Sequence, residues 1–124
     1  MSATRLSDAE RALGPQLVRP LLTIGALAAE QGLESYLIGG AVRDLLLGNR
    51  SEDIDIMIVG DAIGFAKQVS VRWPVELPDL PEPTKPVSFP KYGTAKLSFE
   101  EEFAPGVRSL DFASARKEVY PGPG

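Results

Sequence analysis

The succession of apolar patterns along the chain predicts an α+β (mixed α/β) fold, a mixed sheet of about four to five strands with helices mainly on one face. Three observations lead to it. From Glu52 to Val59, Asp53, Asp55 and Met57 alternate with Ile54, Ile56 and Ile58, the period of a strand with one buried face. Before it, Leu17, Leu21, Ile24, Leu27 and Ala28 recur at helical spacing. After it, Tyr92 to Phe99 and Arg108 to Ala115 read as two further strands. A length of 124 residues suits one domain, expected to span 1–124 with a Pro-rich loop at about 74–90.

Taken in order, Ser7 and Glu10 have the form of a capping box ahead of a helix that reaches Gly32, with bends expected near Pro15 and Pro20. Gly32 stops that helix, and Tyr36-Leu37-Ile38 is a short buried strand leading into Gly39-Gly40. Val42, Leu45 and Leu46 predict a short second helix before Gly48. Gly60 and Asp61 open a third helix, expected to end near Ser70. Pro74, Pro78, Pro81, Pro83, Pro86 and Pro90 then exclude a helix and allow only edge or extended structure, so a long loop is expected. Glu100, Glu101, Glu102 and Pro105-Gly106 form the turn between the last two strands.

Composition removes whole classes of chemistry. Cysteine and histidine are absent, which excludes disulfides, thiolate or imidazole metal sites, Cys nucleophiles and Ser-His-Asp arrangements. The work falls to carboxylates, Lys, Arg, Tyr, hydroxyls and backbone. Thirteen Lys and Arg stand against 17 Asp and Glu, a net charge of -4 with no basic block, a poor balance for binding nucleic acid unaided. No apolar run approaches the ~18 residues of a membrane span. The N-terminus lacks an apolar core with a cleavage site, so a cytoplasmic protein with no membrane partner is expected.

Two short patterns carry chemistry. Alternation puts Asp53 and Asp55 on one strand face, where paired carboxylates hold oxygen-seeking cations; the same triplet also occurs on plain solvated strand faces. Gly39-Gly40 joins a strand to a helix start, where a phosphate can approach free N–H groups; a tight turn has the same requirement for small residues.

Together they say more. Gly39-Gly40, twelve intervening residues and Asp53-Ile54-Asp55 resemble the signature of the nucleotidyltransferase superfamily that includes DNA polymerase beta. Leu37 to Gly48, Asp53 to Asp55, Gly93-Thr94-Ala95-Lys96-Leu97 and Asp111 to Glu118 resemble, more closely, the head domain of class II tRNA nucleotidyltransferases and bacterial poly(A) polymerases. The likeness runs from about Leu17 to the last residue.

That resemblance implies a nucleotidyltransferase fold and template-independent addition of nucleotides from an NTP, ATP or CTP, to an RNA 3′ end, as in tRNA CCA-end addition or poly(A) synthesis. Asp53 and Asp55 would ligate two Mg2+ ions, for which Mn2+ can substitute, with Asp111 as third carboxylate. One ion would lower the pKa of the RNA 3′-hydroxyl and the other would gather the triphosphate. Gly39 and Gly40 would lie against the phosphates. Arg43 would hold the triphosphate or pair with Asp44, and both readings stay open. Asp111 alone would read as a carboxylate at a strand edge, Arg116 and Glu118 as an exposed ion pair, and Lys96 as a solvated strand charge.

Family members continue into an Arg-Arg-Asp motif, a segment that reads the incoming base, and helical domains that hold tRNA. The resemblance therefore implies a metal and triphosphate half-site, with base choice and RNA binding coming from further segments or from a separate basic RNA-binding protein or domain. Selection among CCA, CC, A and poly(A) products would lie largely in those parts. The Pro-rich stretch departs from the family pattern and leaves strand order around 71–90 open. Two other functions fit the motifs: a catalytically idle module for nucleotide binding or protein association, and a small antitoxin-like nucleotidyltransferase.

Overall fold

Period-two alternation is what builds the centre of the molecule. A computed structural model describes residues 3–6, 14–38 and 53–115. Its strands are β1 (Ala3–Arg5), β2 (Glu34–Ile38), β3 (Asp53–Val59), β4 (Val87–Phe89), β5 (Thr94–Ser98) and β6 (Ser109–Ala115), joined in one sheet of order β1-β2-β3-β6-β5-β4. Ile54, Ile56 and Ile58 of β3 are at most 1% exposed, and Leu110 and Phe112 of β6 are fully buried beside them. β3 pairs with β6 in parallel and every other neighbour is antiparallel, so the sheet is mixed, as expected. The two edge strands, three residues each, bring the number to six. Three residues are too few to show a period, which hid β1 and put β4 inside the predicted loop. At the β1 edge the Arg5 guanidinium lies 5.7 Å from the centre of the Tyr36 ring.

The helices α1 (Pro15–Glu30) and α2 (Ala62–Glu76) cover one face. α1 packs on β2 and α2, while α2 packs on β3, β5 and β6. Pro15 sits in the first turn, where its missing N–H costs nothing, and the helix carries Pro20 within it while burying Leu17, Leu21, Ile24 and Leu27. It stops where predicted, at Gly32 with φ +71°, a conformation that other residues rarely adopt. Asp61 caps α2 by accepting from Gly64 N at 3.0 Å, and the Ser114 hydroxyl of β6 accepts from Ala62 N at 2.9 Å.

α2 does not end near Ser70. It continues through Pro74 to Glu76, which overturns the expected break. Tertiary packing outweighs the proline here: Trp73 is 1% exposed, its ring centre 4.9 Å from Phe99 and 5.3 Å from Phe103, and its indole N–H donates to Pro81 O at 2.9 Å. Near a helix end, Pro74 forfeits one amide bond, a loss the aromatic cluster offsets. The rest of the Pro-rich stretch is irregular until β4, apart from a bridge between Pro83 and Phe99. Arg19 of α1 donates to both oxygens of Asp79 and ties that stretch to the helix layer.

Ser7 and Glu10, Gly39-Gly40, the predicted helix from Val42 to Gly48 with Arg43 and Asp44, and Arg116 and Glu118 lie outside the described residues. Among the described residues no helix is long and apolar enough to cross a membrane.

Candidate active site

The face of the sheet opposite the helices follows from the same alternation that fills the core. With Ile54 and Ile56 inward, Asp53 and Asp55 point outward; with Leu110 and Phe112 inward, Asp111 points outward. Parallel register sets Asp55 beside Asp111 and Asp53 beside Ser109. Across the antiparallel β5–β6 pair, Lys96 stands opposite Asp111, since Ala95 and Leu97 are buried on the other side. Three carboxylates, one hydroxyl and one ammonium therefore share a single surface. Asp55 and Asp111, with Ile38, Met57, Thr94 and Ala113, line a cleft of about 460 Å³ on it.

Side-chain contacts connect these groups. Ser109 Oγ donates to Asp53 Oδ1. Lys96 Nζ lies 3.7 Å from Asp53 Oδ1 and 3.9 Å from Asp111 Oδ1, at 40% exposure. Burial pushes the Asp55 carboxyl above its ordinary pKa and the neighbouring Asp53 charge adds to this, while Lys96 opposes it. Asp111 is raised for the same first reason, against the pull of Lys96 and with the charges of Asp53 and Asp55. Crowded carboxylates that resist ionisation are a place where added positive charge is stabilising.

The donor set suits a hard divalent cation, being all oxygen with no sulfur or imidazole. Among the described residues no three carboxylates already converge around one point; positive charge is supplied instead by the Lys96 ammonium, which bridges two of them. Asp53, Asp55 and Asp111 are thus brought to one face, whereas Gly39, Gly40 and Arg43 fall outside the described residues. Sequence reasoning missed Ser109 and read Lys96 as a solvated charge. The signal for Ser109 was its place two residues before Asp111, hence on the same strand face; for Lys96 only the pairing of β5 with β6 reveals it.

Comparison with known proteins decides the family. Residues 35–119 match the family described as Poly A polymerase head domain. The chain belongs to that family. Over 92 residues this head domain is 40% identical to the A-adding tRNA nucleotidyltransferase of Aquifex aeolicus, covering 74% of the chain and 9% of that protein. The Thermotoga maritima CCA-adding enzyme complexed with tRNA superposes with a TM-score of 0.63 at 30% identity, over 94% of this chain and 25% of that one. A tRNA nucleotidyltransferase complexed with a primer tRNA and an incoming ATP analogue gives a TM-score of 0.55 at 34% identity, over 82% and 25%. The head domain thus has the nucleotidyltransferase fold, while spanning a tenth to a quarter of the length of these relatives.

Proposed function

We propose that the chain is one nucleotidyltransferase head domain that adds nucleotides from ATP or CTP to the 3′ end of an RNA, a tRNA before a poly(A) substrate, in the cytoplasm. The observation that carries this reading is the register of Asp55 beside Asp111, with Asp53 on the same face, inside a head-domain fold. Asp53, Asp55 and Asp111 are the proposed metal ligands. Bound there, Mg2+ or Mn2+ would activate the 3′-hydroxyl and neutralise the departing pyrophosphate. Ser109 holds Asp53 in place through its hydroxyl, and strand pairing sets the spacing of Asp55 and Asp111. Gly39, Gly40 and Arg43 are proposed to receive the triphosphate. A separate basic protein or domain is proposed to hold the RNA, because 13 basic residues against 17 acids provide little attraction for phosphates.

Calorimetric titration of the full chain with Mn2+ and a non-hydrolysable ATP tests the site. Wild type should bind, and Asp53→Asn, Asp55→Asn and Asp111→Asn should lose metal-dependent binding while keeping their circular dichroism. Equal binding by wild type and all three variants would overturn the assignment.

A further inference from the structure

The ammonium of Lys96 occupies a position that a divalent ion would contest. It comes from β5, the strand next to β6, and approaches Asp53 at 3.7 Å and Asp111 at 3.9 Å, carboxylates on two different strands. A lysine serving only for solubility would extend into water; this side chain is 40% exposed and directed at two acids. Its contacts are longer than tight hydrogen bonds, so the attraction is mainly charge and yields easily. A metal ion held by Asp53 and Asp111 requires oxygens at about 2.0–2.1 Å. It would then sit within a few ångströms of the ammonium, and two cations cannot share that space without strong repulsion.

We propose that Lys96 is a positioning residue that acts as the internal counter-cation of the carboxylate site, holding Asp53 and Asp111 together until a divalent ion displaces it. The inference rests on the reading of Asp53 and Asp111 as metal ligands. Lys96 thereby steadies the metal-free protein and weakens metal binding in the absence of nucleotide. Its positive charge stands in for the metal beside Asp53 and Asp111.

The test is Mn2+ titration of the nucleotide-free full chain, followed by paramagnetic resonance of the free ion, with melting temperature measured in parallel. Lys96→Met and Lys96→Gln should bind Mn2+ about tenfold more tightly than wild type and melt lower without metal, whereas Lys96→Arg, which keeps the charge, should stay close to wild type. Lys91→Met, which removes a lysine outside this pair of contacts, controls for net charge. Wild-type affinity in both neutral variants would overturn the inference, as would Lys91→Met matching them or Lys96→Arg binding as tightly as Lys96→Met. Asp53→Asn separates this from failure of the site itself: if wild type binds Mn2+ and Asp53→Asn does not, the metal site stands and the Lys96 variants alone decide. If wild type, Asp53→Asn and the Lys96 variants all fail to bind, both readings fall.

Discussion

Asp55 and Asp111 are neighbours across a parallel strand pair, a costly place for two like charges. Both carboxyls have folded pKa values above their unfolded ones, chiefly from burial, so ionisation works against the fold at neutral pH. The sign is opposite to that of a salt-bridged acid: the penalty is present above the folded pKa and disappears as pH falls through it. Asp111→Asn should therefore raise the melting temperature of the metal-free chain near neutral pH, with the gain shrinking as pH falls through the raised folded pKa, where the native acid is itself protonated. Scanning calorimetry across that range checks it. The same substitution should remove Mn2+ binding, so stability and metal affinity move in opposite directions at one residue. The acids themselves were legible, because period two puts Asp53 and Asp55 on one face whatever the strand pairs with. Their partners Lys96 and Ser109 were not, since each becomes a partner only through the register of a neighbouring strand.

α2 shows how packing overrides local preference. Its predicted end near Ser70 rests on Pro74, yet burying Trp73 against Phe99 and Phe103 carries the helix to Glu76. Trp73→Ala should cost about 3–5 kcal/mol, read as a lowered urea midpoint. Trp73→Phe keeps a ring but drops the bond to Pro81 O, and should cost about 1 kcal/mol. The irregular stretch after α2 has its own anchor in Asp79, whose pKa is lowered to about 2 first by its hydrogen bond with Arg19. A depressed carboxylate pKa contributes stability above the unfolded value and loses it as pH falls through the folded one. The melting temperatures of wild type and Asp79→Asn should thus differ by a small constant amount above about pH 5 and converge near pH 2. A constant gap down to pH 2 would show that this ion pair does not contribute.

At the scale of the whole molecule, the net charge of -4 predicts that these 124 residues alone bind tRNA weakly at physiological salt, and that affinity rises only shallowly as salt is lowered, because few counterions are released. Filter binding across a salt series measures both, and a steep slope would reveal a basic surface that composition does not show. Nucleotide transfer by the chain alone should be slow and show little preference between ATP and CTP, and a fragment that supplies RNA-holding and base-reading groups should raise both rate and selectivity by positioning the reactants. The sequence by itself determined the mixed α+β class, the buried isoleucines of β3, the stop at Gly32 and the common face of Asp53 and Asp55, since each follows from periodicity or the backbone freedom of a few adjacent residues. Only the tertiary structure decided the six-strand order, the passage of α2 through Pro74, the placement of Asp111 beside Asp55 and the reach of Lys96 to Asp53 and Asp111. Those features depend on pairing and packing between segments distant in the chain, which local patterns do not encode.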